Sequence, residues 1–212
     1  TAEILELIHK VQVVVLDKTG TLTRGDHVVK DIVPASGVDE NELLRLAASA
    51  EQGSEHPIGK AIIRVARQRN LKLDSCSDFE ALPGMGVRVR LSSGNVVVGN
   101  LQLMQREGSN PEDLELIATR LAEEGKTVIH VSMDGSPMGL VAVGDTVKTE
   151  AANVVSTLKR RGIDVVLMTG DNWMVADGTA DLLGICRVEA EARPSDKAAM
   201  VSDLQREGLV VA

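Results

Sequence analysis

Aromatic side chains are almost missing from this sequence of 212 residues, which holds one phenylalanine, one tryptophan and no tyrosine. Rings on which a base, a sugar or a proline-rich peptide could stack are therefore lacking, which argues against single-strand nucleic-acid binding folds and carbohydrate-binding modules. Cysteine is scarce too. Cys76 and Cys186 stand far apart, with no Cys-x-x-Cys or Cys/His cluster around either, so neither a disulfide scaffold nor a zinc site is expected and a reducing compartment suits the chain. No stretch approaches the roughly 20 apolar residues of a membrane span. A positive balance is missing as well: the net charge is -8, which removes any general attraction to nucleic acid or anionic lipid. What remains is a globular length with 43% hydrophobic residues, hence an aliphatic core.

The chain reads in two styles. Behind an apolar lead-in, Ile4–Ile8, the run Val11-Gln12-Val13-Val14-Val15-Leu16 has the β-branched content of a strand buried on both faces, and it stops at Asp17. From Glu150 onward, helix and strand signals alternate. Ala151, Val154, Val155 and Leu158 recur at helical spacing, Ile163–Met168 reads as a strand, and helices follow through Ala176, Ala180 and Leu183 and through Ala198, Val201 and Leu204. Leu209–Ala212 then begins another strand. This cadence predicts a doubly wound α/β domain. The middle differs, with helices expected over 40–50, 59–69 and 111–123. A hairpin of 87–91 and 95–98 turns at Ser92-Ser93-Gly94, and apolar residues alternating with charged ones predict a sheet with one wet face. The expected organisation is thus an α/β domain in two parts, 1–31 and 127–212, carrying an inserted antiparallel α+β domain over 32–126.

In open α/β sheets the chemistry lies at the carboxyl ends of the strands. Asp17 ends the first strand and is followed by Lys18-Thr19-Gly20-Thr21-Leu22-Thr23. A carboxylate there can attack a phosphoryl group, provided a cation screens the two anions. Thr169-Gly170-Asp171 follows the second strand and makes a hydroxyl and backbone N–H cradle for phosphate oxygens, and Lys197 in the first turns of the next helix can reach the same place.

Asp17–Thr23 resembles the phosphorylation signature of P-type ATPases, within the haloacid dehalogenase superfamily. Glu51 with Ser54-Glu55-His56-Pro57, Gly84-Met85-Gly86 and Gly99-Asn100 resemble the heavy-metal-transporting branch of that family. The resemblance runs the length of the chain and implies a haloacid-dehalogenase-like phosphorylation domain whose insert is a nucleotide-binding domain. It implies Asp17 as phosphate acceptor with Lys18 beside it, and Mg²⁺ held by Asp17 and the Thr19 carbonyl. Thr169, Gly170 and Lys197 would hold the phosphoryl oxygens, Asp171 would orient that loop, and Asp145 would mark the Asp-x-x-Lys motif near a hinge. ATP would meet Glu51 and His56 at its adenine. Gly84, Gly86 with the adjoining Val87, and Gly99 with Asn100 would border the nucleotide.

The family's further acidic Mg²⁺ ligands, in a Gly-Asp-Gly-x-Asn-Asp segment, are expected beyond Ala212. The implied setting is the cytosolic face of a membrane, in a transporter that exports Cu⁺ in preference to Zn²⁺ or Cd²⁺, with the ion bound in membrane helices. An actuator domain and a metallochaperone are its implied partners, and nucleic acid is not among them. The alternative is a soluble phosphatase of the superfamily with a cap domain. Such phosphatases carry an acid–base aspartate two residues after the nucleophile, and here that position is Thr19. The scattered methionines and both cysteines read as core or inert residues, and Trp173 has no assigned role.

Overall fold

The computed structural model describes residues 9–212; the lead-in Ile4–Ile8 lies outside them. The chain forms two compact units, the first from residues 9–26, 123–125 and 145–212, the second from residues 27–122 and 126–144.

In the first unit, β1 (Val13–Asp17) pairs in parallel with β8 (Asp164–Met168), with Asp17 opposite Met168, and β8 pairs in parallel with β9 (Arg187–Glu189). The C-terminal residues add to the free side of β1: Val211 bridges Val13 in parallel, and the Ala212 N–H donates to the Val13 carbonyl at 3.0 Å. Alternate residues of β8 serve opposite faces. Val165 and Leu167 pack with Ala151 and Val155 of α5 (Ala151–Arg160) and Ala180 and Leu183 of α6 (Trp173–Leu183), while Val166 packs with Val13 and Leu204 of α7 (Pro194–Arg206). Helices on both faces of a parallel sheet are the doubly wound arrangement that the β-branched runs predict.

The second unit is built on a six-stranded sheet in the order β2-β7-β6-β5-β4-β3. Its strands are β2 (Thr23–Pro34), β3 (Cys76–Leu82), β4 (Gly86–Leu91), β5 (Gly94–Gly99), β6 (Thr127–Met133) and β7 (Ser136–Val147). One face carries α1 (Glu40–Ala50) and α2 (Pro57–Gln68), whose Leu43, Leu44 and Ile62 meet Val87, Val89, Val96, Val98, Val131 and Val141. Asp39 starts α1 by accepting from the N–H groups of Asn41 and Glu42 at 2.9 and 3.1 Å.

Two expectations are corrected here. The boundary at 126 gives way because Thr127–Met133 pairs antiparallel with β5, so that the inserted unit takes in 126–144, and the boundary at 32 moves to 27 because β2 joins the same sheet beside β7. Strand period alone carries no record of which sheet a strand joins. The wet face survives at the β3–β4 edge, where Ser77–Ala81 of β3 are exposed and Arg88 of β4 pairs with Glu80 of β3 and with Glu107. Elsewhere the second face is covered by α3 (Leu101–Arg106) and α4 (Glu112–Glu123), which bury Leu103, Met104, Leu114 and Leu121 against Val97, Leu140 and Ala142.

His130 of β6 lies opposite Leu140 and Gly99, is 5% exposed, and its Nδ1 has no hydrogen-bond partner. Burial pushes its pKa down to about 4. The folded chain keeps this imidazole neutral down to that pH, whereas the unfolded chain protonates it near 6.5. The unfolded state therefore binds more protons between the two values, so stability is complete above pH 6.5 and falls as pH drops towards 4, by roughly 3 kcal/mol. Chemical denaturation of the wild type and His130→Leu across this range checks it: the variant should lose most of that slope, and an identical slope in both would remove His130 as its source.

Candidate active site

Asp17 reaches the carboxyl end of the parallel sheet because the aliphatic run ends there, and the chain turns away at once through Gly20, whose φ of +79° suits glycine. The turn is tied down from three sides. Thr23, 1% exposed, donates its hydroxyl to the Asp145 carboxylate, the Gly25 N–H donates to the same carboxylate at 3.2 Å, and Lys148 Nζ donates to the Gly20 carbonyl at 2.9 Å. Asp145 and Lys148 of the Asp-x-x-Lys motif thus hold the loop after Asp17, and the buried Asp145 Oδ1 accepts no hydrogen bond.

At the neighbouring strand end, Thr169 is 3% exposed. Its hydroxyl donates to Asp171 Oδ2 at 3.0 Å and accepts from the Asp171 N–H at 3.2 Å, while its backbone bonds to Glu189 and Ala192. Asn172 caps α6 by accepting from the Val175 N–H at 3.0 Å. A Cβ on Gly170 would meet the Ala192 carbonyl at 3.6 Å, an ordinary contact, so packing does not require glycine there. Pro194 opens α7, and Asp196 accepts from the Arg193 N–H at 2.9 Å, which places Lys197 in the first turn. The Lys197 ammonium pairs with Asp17 Oδ1. Lys18, by contrast, is buried and pairs with Asp171. One cation thus faces the candidate nucleophile and the other locks the loop behind it.

For a metal, the donors fit in kind. Asp17 and the Thr19 carbonyl are hard oxygens of the sort Mg²⁺ prefers. Among the described residues no group of three His, Cys, Asp or Glu side chains is placed to hold an ion, so these two oxygens would supply only a minor part of an octahedral shell.

The residues singled out in the second unit fall into two clusters. In the first, Glu51 is 7% exposed and its Oε2 has no hydrogen-bond partner. Burial raises its pKa, opposed by Ser54 beside it. His56 caps α2 itself, with Nδ1 accepting from the Ile58 N–H at 3.3 Å, an arrangement that assigns the ring proton to Nε2. Partial burial and the nearby His27 lower its pKa, so it is neutral at pH 7.

In the second cluster, Asn100 caps α3 by accepting from the Leu103 N–H at 2.9 Å and donates through Nδ2 to the Gly84 carbonyl at 3.1 Å. Gly86 and Gly99 face one another across β4 and β5. A Cβ on Gly86 would lie 2.1 Å from the Val98 carbonyl, and one on Gly99 2.2 Å from the Met85 carbonyl, so both glycines have a packing reason to be there. Gly84 has open space and a φ of +73°. Val87 sends its side chain into the core, which leaves only its backbone to a ligand. Sequence reading did not single out Thr23 or Lys148, although both stand inside quoted motifs.

Residues 11–212 match the profile of the haloacid dehalogenase-like hydrolases. The chain belongs to that family. It is 43% identical over 211 residues to a probable copper-exporting P-type ATPase V of Mycobacterium tuberculosis, which covers 99% of this chain and 27% of the relative. It is 42% identical over 206 residues to a copper-exporting P-type ATPase of Bacillus subtilis, covering 97% of this chain and 26% of the relative. Among solved structures, a zinc-transporting PIB-type ATPase in an E2.Pi state superposes with a TM-score of 0.74 at 33% identity, over 96% of this chain and 33% of that one. The chain thus spans about a quarter of the length of these curated relatives. Among the described residues no helix is long and apolar enough to cross a membrane.

Proposed function

We propose that this chain is the ATP-binding and phosphorylation portion of a P-type ATPase that exports a heavy-metal ion, Cu⁺ before Zn²⁺ or Cd²⁺, and that Asp17 accepts the γ-phosphoryl group. The observation that carries the reading is the strand-end pair of Asp17 and Lys197 beside the Thr169–Asp171 loop. The preference for copper is supported by the names of the two relatives above.

In the proposed step an Asp17 carboxylate oxygen attacks the γ-phosphorus in line, the bond to the β,γ-bridging oxygen breaks, and ADP leaves with that electron pair. Lys197, already paired with Asp17, offers an ammonium to the incoming phosphoryl oxygens and lowers the repulsion between two anions. Lys18 neutralises Asp171 and holds the loop, so that the Thr169 hydroxyl needs only to turn from Asp171 to reach a phosphoryl oxygen. Mg²⁺, held by Asp17 and the Thr19 carbonyl, supplies charge screening when bound. Thr19 stands where a soluble phosphatase has its acid–base aspartate, so no carboxylate at that position activates water and the aspartyl phosphate persists.

The second unit is the proposed nucleotide site, with Glu51 and neutral His56 at the adenine and Gly84, Gly86, Val87, Gly99 and Asn100 along the rest of the nucleotide. A site without an aromatic platform gives modest affinity, roughly 0.1–1 mM. Titration with ATP should shift the amide resonances of these positions, and His56→Gln should weaken binding about tenfold. Shifts elsewhere, or an unchanged affinity in the variant, would refute the placement.

A further inference from the structure

Gly59 lies buried in the first turn of α2, where glycine is a poorer helix former than alanine and its φ does not call for it. The space beside it explains the choice. A Cβ built on Gly59 would lie 2.3 Å from Glu51 Oε2, 3.0 Å from Glu51 Cδ and 3.2 Å from Ser54 Oγ. The missing methyl is therefore the volume that the Glu51 carboxyl occupies. That carboxyl is held in an unusual state: it is 7% exposed, and Oε2 is buried without a donor. A buried acceptor left unpaired costs stability, and the side chain could escape to water by a rotamer change unless its seat were the best packed place for it. Ser54 stands at the same spot and also accepts from the His56 N–H at 3.2 Å, which ties the seat to the imidazole that caps the helix.

We infer that Gly59 is a positioning residue of the nucleotide site: by lacking a side chain it seats the Glu51 carboxyl with one acceptor oxygen unpaired, ready for an N–H donor of the ligand such as the exocyclic amino group of adenine. This rests on the proposed role of Glu51 and extends it to a residue that touches no nucleotide. The colliding partner is the end of a flexible side chain, so Gly59→Ala expels the carboxyl without unfolding the helix and gains helix propensity. Stability and binding should then move apart, with an unchanged or higher melting temperature and weaker ATP binding.

The test uses the full 212-residue chain as wild type, Gly59→Ala, Glu51→Ala and the double variant. Glu51 is followed by carboxyl-carbon NMR through a pH titration, and ATP and inosine triphosphate are compared by amide shifts. In the wild type Glu51 should titrate above the ordinary carboxylate range; in Gly59→Ala it should return to that range. ATP affinity should fall about tenfold with loss of the preference for ATP over inosine triphosphate, which lacks the amino group. Gly59→Ala should add nothing on the Glu51→Ala background. An unmoved Glu51 titration in Gly59→Ala, or independent losses that multiply in the double variant, would overturn the inference. A wild type whose Glu51 titrates high but does not respond to ATP would instead overturn the nucleotide reading itself, and with it the functional half of this one.

Discussion

Asp17→Asn is expected to abolish transfer of phosphate from ATP, with a loss of at least about a thousandfold, equivalent to about 4 kcal/mol of transition-state stabilisation. The amide keeps the size of the carboxyl but has no anionic oxygen to form the bond, and it no longer attracts Lys197, whose ammonium now pairs with Asp17 Oδ1. Asp17 is partly exposed at the strand end, so the fold should survive the change. In the protein that carries this chain, radiolabelled ATP with Mg²⁺ should give an acid-stable, hydroxylamine-sensitive label in the wild type and none in the variant. Lys197→Ala should retain the label but form it about a hundredfold more slowly, since it removes a charge that stabilises the transferring group while leaving the nucleophile. Labelling that persisted in Asp17→Asn would move the acceptor elsewhere.

Gly86→Ala should destabilise the second unit by about 3–5 kcal/mol, more than any loss of ligand contacts could explain. Two independent costs add. The φ of +147° is one that side-chain-bearing residues rarely adopt, and the new Cβ would sit 2.1 Å from the Val98 carbonyl and 2.5 Å from Gly99 Cα, both main-chain atoms that cannot swing aside. The contrast with Gly59→Ala is sharp, because there the obstructing atom ends a flexible side chain. Denaturation of the two variants should therefore separate them by several kcal/mol. If Gly86→Ala kept the wild-type midpoint and only weakened ATP binding, the glycine would be there for the nucleotide and not for the sheet.

The two units differ in how far their sequences announce them. In the first, the run Val13–Leu16 ends at Asp17 and Ile163–Met168 ends at Thr169, and each is a continuous aliphatic block whose end is visible in the sequence, the second buried over Val165–Met168 and the first half-buried after Val13. A parallel sheet puts such ends side by side, so the placing of Asp17 and Thr169 at neighbouring strand ends is legible in the sequence. The insert was harder to delimit. Thr127–Met133 and Ser136–Val147 have the same apolar character whichever sheet takes them, and only pairing with β5 assigns them to the second unit. Cys76–Leu82 escaped notice as a strand because its exposed residues, among them Asp78 and Glu80, give no alternation to read.

What the sequence determined by itself is the chemistry: a carboxylate, a hydroxyl and an ammonium at strand and helix ends, and a chain with too few rings for a stacking site. What only the tertiary structure decided is which of these groups act on which. Lys18 follows a strand and Lys197 stands in the first turn of a helix, and it is the lysine adjoining Asp17 in sequence that turns to Asp171 while the distant one meets Asp17, because a side chain's partner depends on which elements pack beside it. The same holds for the glycines. Gly59, Gly86 and Gly170 are the same letter in the sequence, but the atoms a Cβ would meet are a carboxyl in the first case, a main-chain carbonyl at 2.1 Å in the second, and nothing closer than 3.6 Å in the third. An empty space has no sequence signal of its own, since it is set by neighbours that are distant along the chain and adjacent only after folding.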